Sequence, residues 1–144
     1  MIRVTVWNEF HEEKIKKAVS DVYPNGIHTA VAEGIDKSKC IVRTVTQDDE
    51  ECGLSEEILD NTDVLIWWAH AKHEEMPDNI AERVQNAVLK GMGIIFLHSS
   101  HKSKPFMRLM GTTGDLSWRE DGDKERIWVV NPAHPISKGI DKYF

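Results

Sequence analysis

The spacing of hydrophobic residues along the chain alternates between two residues, which is typical of strands, and about 3.6 residues, which is typical of helices. Strands are predicted over residues 2–7, 40–45, 64–69, 93–97 and 127–130. Helices are predicted over residues 12–22, 27–35, 55–59, 77–90 and 105–110. This alternation predicts an α/β protein whose mostly parallel sheet carries helices on both faces, and the length of 144 residues predicts one domain.

Two of the predicted helices carry an apolar stripe that we expect to face the core. In the first helix the stripe is formed by Ile15, Ala18, Val19 and Val22. In the helix that begins at Pro77 it is formed by Ile80, Val84, Ala87 and Val88. The strand at 64–69 is apolar throughout, so we expect Trp67, Trp68 or both in the core. Trp118 and Trp128 lie outside such runs, and the sequence does not decide whether they stack on a sugar.

The composition is that of a folded, acidic domain. Hydrophobic residues make up 40% of the chain, and 18 Lys and Arg against 24 Asp and Glu give a net charge of −6. A negative domain is a poor partner for nucleic acid or an anionic membrane surface. No apolar run approaches the ~20 residues of a membrane span, and the first residues read as a strand, not as a signal peptide. Cys40 and Cys52 make no disulfide framework, so we expect a cytoplasmic protein.

Histidines gather where three predicted strands end. His11 follows the first strand, His70 and His73 follow the third, and His98 and His101 follow the fourth. Because ligands bind at the carboxyl ends of the strands in open α/β sheets, we expect these imidazoles to share one crevice. Each His-x-x-His pair can direct two rings at one divalent ion, for which neutral imidazole is a good ligand. Polar packing explains the same pattern, and spacing alone does not assign further ligands.

Ser99 and Ser100 lie in the turn after the fourth predicted strand, between His98 and His101. A sharp strand-to-helix turn can present the hydroxyl of either serine as a nucleophile beside an imidazole base. A hydroxyl that caps the following helix explains both serines equally well, and the Gly-x-Ser-x-Gly motif is absent. The sequence therefore leaves two hypotheses for this turn, a nucleophilic hydroxyl and a helix-capping hydroxyl.

Six segments of the chain resemble the ThuA, or trehalose-utilisation, family. They read VTVWNE (4–9), GIHT (26–29), WWAH (67–70), GMGIIFLHS (91–99), LMGTT (109–113) and WRE (118–120). The resemblance extends over essentially the whole chain. It implies a flavodoxin-like three-layer α/β/α fold of the class I glutamine amidotransferase-like type. It also implies a role in the catabolism of trehalose or related disaccharides, including 3-keto forms, and a domain that continues beyond residue 144.

The amidotransferase relatives carry a nucleophilic cysteine in the turn after the fourth strand. Here the corresponding residues 98–101 read HSSH, and both cysteines lie elsewhere. Hydrolysis of glutamine through a thiolate is therefore disfavoured. A hydrolase that uses Ser99 instead is a weaker alternative.

The leading hypothesis is an enzyme of disaccharide metabolism with its site at the carboxyl edge of the sheet, although the sequence does not assign the reaction. The predicted catalytic residues are His98, Ser99, His101 and Glu9. The predicted substrate contacts are Asn8, Trp68 and Lys102. The predicted metal ligands are His11, His70 and His73, with zinc as the preferred ion.

Two alternatives accompany this hypothesis. In a version without metal, His98 and His101 transfer protons beside Ser99, since an unperturbed imidazole titrates near pH 6.5, at about neutrality. In the second alternative, the chain is a non-catalytic carbohydrate-binding or regulatory module that kept the fold after losing the cysteine. The expected partner is a small sugar, trehalose or a related disaccharide. We expect no nucleotide cofactor, and a homo-oligomer is compatible with the sequence.

Overall fold

A computed structural model describes residues 1–119, 121–124 and 127–140 of the chain. Its sheet contains four strands, β1 (Ile2–Asn8), β2 (Cys40–Thr46), β3 (Val64–Trp68) and β4 (Gly93–Phe96). The spatial order is β2-β1-β3-β4, and each neighbouring pair is parallel. This is the flavodoxin-like order, in which the direction of winding changes between β1 and β3. The predicted α/β class with a parallel sheet is confirmed.

Among the residues that the structure describes, six α-helices connect and follow these strands. They are α1 (Glu12–Ile15), α2 (Lys17–Val22), α3 (Ile27–Glu33), α4 (Glu56–Asp60), α5 (Asp78–Leu89) and α6 (Lys104–Met110). Local sequence explains several of their ends: Ser55 caps α4 by accepting a hydrogen bond from the backbone N–H of Ile58, and Gly111 ends α6 in the left-handed conformation. Among the described residues, no helix has the length and apolar character needed to cross a membrane.

One face of the sheet is covered by α4 and α5. The indole rings of Trp7 and Trp67 stack on this face with their centres 3.8 Å apart. Leu59 of α4 and Ile80 and Val84 of α5 complete the same buried cluster. The predicted stripe of α5 and the core position of Trp67 are therefore confirmed, and burial of this stripe is the main source of stability for the helix.

The opposite face of the sheet is covered by α3. Val4 and Val6 alternate with the residues of β1 that face α4 and α5, and they pack against Ala32. Helices therefore lie on both faces, as the three-layer α/β/α prediction requires. The helix predicted from residue 27 is confirmed, and it ends before Gly34.

The single amphipathic helix predicted over residues 12–22 is wrong. The backbone of Lys16 is extended and separates α1 from α2, and the side chains of Ile15 and Val22 are 61% and 66% exposed. Glu13 is buried instead, because its carboxylate accepts hydrogen bonds from the Asn8 amide and the Ile27 backbone N–H. These two bonds hold Glu13 in the interior, whereas the spacing of apolar residues predicted that Ile15 would face the core.

The strand predicted over residues 127–130 does not form within that segment. Trp128 makes an isolated bridge, and Ile127, Trp128 and Val130 are exposed. An apolar run this short gains little from strand formation when its side chains stay in water. Two parts of the sequence-based predictions, Glu120 of the WRE segment and residues 141–144 of the predicted domain, lie outside the described residues.

Candidate functional site

A cavity of about 410 Å³ opens beside the carboxyl ends of β3 and β4. It is lined by His70, His73, His98, Ser99, His101, Lys102, Leu116 and Trp118. Parallel pairing of β3 with β4 brings the segments that follow these strands to one edge of the sheet. Six of the residues predicted for the site from the sequence therefore lie together, in a space of the size that small-molecule sites have.

Three imidazoles form a row along this cavity. The ring centres of His73 and His101 are 6.4 Å apart, and those of His98 and His101 are 6.0 Å apart. These distances leave room for a ligand hydroxyl or a water molecule to contact two neighbouring rings. The fourth imidazole, His70, lies 6.3 Å from the indole of Trp68, measured between ring centres.

His73 is suited to accepting a proton near neutral pH. Burial lowers the pKa of its imidazole, the rings of His101 and His70 lower it further, and the carboxylate of Glu9 opposes the shift. The buried Nδ1 atom of His73 has no hydrogen-bond partner among the described residues. A doubly protonated ring would leave a buried N–H without an acceptor, so geometry and burial both favour the neutral form.

Glu9, predicted as a catalytic residue, does not line the cavity. Its carboxylate is buried and accepts hydrogen bonds from the backbone N–H groups of Ala71, at 2.8 Å, and Lys72, at 3.0 Å. Both oxygens are therefore engaged by the loop that follows β3. Since this loop carries His70 and His73, the structure assigns Glu9 a positioning role beneath the site.

Asn8, predicted as a substrate contact, is fully buried in a polar network. Its Nδ2 donates to the carboxylate of Glu13 at 2.7 Å and lies 3.0 Å from Nδ1 of His28. Its Oδ1 accepts from the backbone N–H of Phe10, which sets the orientation of the amide, so His28 must be the acceptor. Asn8 lies outside the cavity lining because its polar atoms are used within the protein.

The turn after β4 separates the roles of two adjacent serines. Ser99 lines the cavity, and its hydroxyl makes one long contact, 3.5 Å from the carbonyl oxygen of Ala69. Ser100 is buried, accepts from the Ala69 backbone N–H at 2.9 Å and donates to the Trp67 carbonyl at 3.2 Å. Ser100, the other candidate nucleophile, therefore does not line the cavity, and its hydroxyl instead ties the turn to the end of β3, a role that the sequence pattern did not indicate. In the described structure, no hydrogen bond joins the Ser99 hydroxyl to an imidazole.

The predicted metal ligands do not form a metal site in this structure. His11 precedes α1, outside the cavity lining, whereas His70 and His73 line the cavity. Within the described ranges, no three His, Cys, Asp or Glu side chains are arranged to hold a metal ion. The side chains as placed do not fit zinc, so we derive no step through a metal, and bound zinc stays a prediction.

Two of these histidines affect the carboxyl group of Glu12. A hydrogen bond from Lys16 lowers the pKa of this carboxyl, burial opposes the shift, and the charges of His70, Lys16 and His11 add to the lowering. Trp68, another predicted substrate contact, is half-buried and packs beside His70 without lining the cavity.

Residues 111–119, which we call the strap, form the outer wall of the cavity. Gly114 has a φ of +66°, and a Cβ atom there would lie 2.0 Å from the carbonyl oxygen of His101. Lys102 donates from Nζ to the Asp115 carboxylate at 2.8 Å. These contacts bring Leu116 and Trp118 to the cavity. Sequence analysis missed Leu116 and left Trp118 open, and the closely spaced glycines at 111 and 114 were the available signal.

A second cleft, of about 340 Å³, lies between α4 and α5. Its walls are mainly charged and amide side chains, including Glu56, Asp60 and Glu82. Arg83 on its wall is already engaged by the carboxylate of Glu51 and the carbonyl of Leu54. This second cleft is lined by none of the histidines that follow β3 and β4. The histidine-lined cavity is therefore the candidate functional site.

Fold and site together define a flavodoxin-like α/β protein with a histidine-lined cavity at the carboxyl edge of a parallel sheet. The sequence model of the ThuA family, described as trehalose utilisation, matches residues 3–144. The chain therefore belongs to the ThuA family, as its sequence segments indicated. No curated protein matches the chain.

Proposed function

We propose that this protein is an enzyme of disaccharide utilisation that binds trehalose or a related disaccharide in the histidine-lined cavity. The observation that carries the proposal is the convergence of four imidazoles, from the loops after β3 and β4, on one cavity. The family description, trehalose utilisation, supports a saccharide as the ligand. The form we favour as substrate is a 3-keto derivative, because its chemistry matches these side chains.

The side chains suit proton transfer next to a carbonyl group. In a 3-keto sugar, a base can remove the proton from the neighbouring carbon, and the C–H electron pair then forms the enolate. His73, held neutral by burial, is the base in this proposal and receives that proton. His101 is the next ring along the row and donates a proton to the enolate oxygen or carbon. Lys102 also lines the cavity, and its ammonium group, which Asp115 holds in place, is a further hydrogen-bond donor for the developing oxyanion.

The cavity lining argues for this chemistry over hydrolysis by two carboxylates. Most glycoside hydrolases place an Asp or Glu on each side of the scissile bond. Among the described residues, no carboxylate lines the cavity. Glu9 is bound to backbone N–H groups, and Asp115 is paired with Lys102. The described lining thus offers imidazole and ammonium hydrogen-bond donors to an anion and no carboxylate to repel it.

The decisive experiment follows solvent deuterium entering the sugar. In D₂O, the wild-type protein should incorporate deuterium next to the carbonyl of 3-keto-trehalose, as detected by NMR. His73→Gln should reduce this exchange by about 100-fold or more, the usual range for loss of a positioned base, with little change in the dissociation constant. His134→Asn is the matched control, since His134 is an exposed histidine whose helix-capping role Asn preserves.

Two outcomes would contradict parts of this proposal. Saturable binding of the sugar without exchange or product would favour the non-catalytic carbohydrate-binding module. Equal exchange in wild type and His73→Gln would show that the row of imidazoles does not carry the proton.

Bound zinc is a separate proposal, tested by elemental analysis of the purified protein. Stoichiometric zinc that is lost in His70→Ala and His73→Ala would support the sequence-based ligands. Absence of zinc from wild-type protein purified without chelators would contradict them.

A further inference from the structure

Trp118 presents a large apolar surface at the cavity. Its side chain lines the cavity while 77% of the residue remains exposed, and the neighbouring wall residue Leu116 is also exposed. The two tryptophans stacked in the core, Trp7 and Trp67, are by contrast fully buried. An indole left in water gives up the stabilisation that burial supplies, and a ligand that covers it recovers that free energy.

The strap that carries this indole is anchored to the turn that carries His101 and Lys102. Gly114 packs so closely on the carbonyl of His101 that no side chain fits between them. One residue further along, the carboxylate of Asp115 accepts a hydrogen bond from Lys102. His101 and Lys102 themselves line the cavity. The same turn therefore supplies polar residues of the lining and anchors the strap that carries the apolar ones, Leu116 and Trp118.

We infer that Trp118 is a sugar-stacking platform and that the anchored strap makes the cavity select pyranose rings whose ring hydroxyls are equatorial. This inference deepens the proposed function and rests on it. A ring of this configuration presents C–H bonds on its faces, and these pack against an indole. An axial hydroxyl makes one of the two faces polar, and a ring that turns this face to the indole buries a hydroxyl that loses water without gaining a partner. Because the strap and the imidazoles restrict how the ring lies in the cavity, an axial hydroxyl removes one of the two stacking orientations.

Trehalose titrations by calorimetry test the platform. The wild-type protein should bind trehalose, whose glucose rings carry equatorial ring hydroxyls, more tightly than the corresponding disaccharide of galactose, which has an axial hydroxyl. Trp118→Ala should weaken trehalose binding about tenfold and narrow this preference, because the covered indole surface is lost. Trp118→Phe should keep most of the affinity, since it keeps an aromatic face. Trp128→Ala is the control, as Trp128 is an exposed tryptophan that does not line the cavity.

The outcomes separate the inference from the proposed function. Wild-type binding that Trp118→Ala leaves unchanged would overturn the platform alone. Wild-type protein that binds neither disaccharide nor its keto form would overturn both.

The role of the strap is tested with a pair of glycine variants. Gly114→Ala and Gly122→Ala both place alanine at a left-handed φ, +66° and +76°. Of the two new Cβ atoms, that at residue 114 meets the carbonyl of His101, whereas that at residue 122 meets none of the described residues. Gly114→Ala should therefore displace the strap and weaken trehalose binding several-fold more than Gly122→Ala. Equal affinities in the two variants would contradict a fixed wall.

Discussion

At the scale of single residues, Glu9 shows how contacts decide a role that residue type leaves open. A carboxylate at the end of a strand is a reasonable candidate for acid–base chemistry. In the structure, both of its oxygens instead accept hydrogen bonds from the loop that carries His70 and His73. The residue is part of the support of the site, and its influence on His73 is electrostatic and positional.

Glu9→Gln should therefore destabilise the protein. The neutral amide keeps one acceptor and turns an NH₂ group towards a backbone N–H, leaving a buried donor unsatisfied, at a cost of about 1–3 kcal/mol. The measurement is the free energy of unfolding from urea titration. Glu74→Gln is a matched control because it also removes a negative charge near His73, but from an exposed side chain, and should change stability by less than about 0.5 kcal/mol. If both variants lost the same free energy of unfolding, Glu9 would not be stabilising the loop after β3 through its hydrogen bonds.

At the scale of elements, short polar segments control how the helices sit on the sheet. Gly26 precedes α3 with a φ of +84°, and a Cβ atom there would lie 2.3 Å from the imidazole of His28. His28 in turn accepts from the buried amide of Asn8. The entry into α3 is thus coupled to the end of β1 through a glycine, an imidazole and an amide.

Gly26→Ala should lower the free energy of unfolding by about 2 kcal/mol or more, since it combines a left-handed φ with a clash in a buried network. Gly34→Ala, at the other end of α3, is the comparison. Gly34 has a φ of −75° and a Cβ there would meet its nearest neighbour at an ordinary 3.5 Å. That variant should be neutral or more stable by about 0.4–1 kcal/mol. The free energy of unfolding of both variants is measured by chemical denaturation. A Gly26→Ala protein as stable as wild type would contradict the coupling between the start of α3 and the end of β1.

At the scale of the whole molecule, two imidazoles couple folding to pH, the buried ring of His28 and the half-buried ring of His73. Burial lowers the pKa of both His28 and His73, although nearby carboxylates oppose the shift. In the unfolded chain these rings titrate near pH 6.5, at about the ordinary value for histidine. Below that pH the unfolded state binds more protons than the folded state, so the folded state loses stability as the pH falls.

We expect the free energy of unfolding to be level above about pH 6.5 and to decline as the pH falls below about 6.5. The check is urea unfolding across this range, compared with His28→Asn, which removes one of the two titrating rings. The variant should show a shallower decline, whatever its stability at pH 7.5. A decline of unchanged steepness would show that His28 does not contribute to it.

Much of the architecture was predictable from local sequence. The alternating pattern of β1, the apolar run of β3 and the stripe of α5 each follow from the side-chain period of the element, which neighbouring residues alone determine. The region of the site was predictable for a related reason. Parallel strands place their carboxyl ends at one edge, so the histidines after β3 and β4 had to lie near each other.

What the sequence by itself determined was therefore the class of fold and the edge of the sheet where the chemistry gathers. Only the tertiary structure decided which side chains face the cavity. Asn8 and Glu9 follow one another at the end of β1, yet both turn to partners inside the protein. Trp118 reaches the cavity because the strap crosses the turn at His101. The physical reason is that neighbouring residues set a period, whereas these contacts also involve residues distant along the chain, His28 for Asn8 and Ala71 for Glu9.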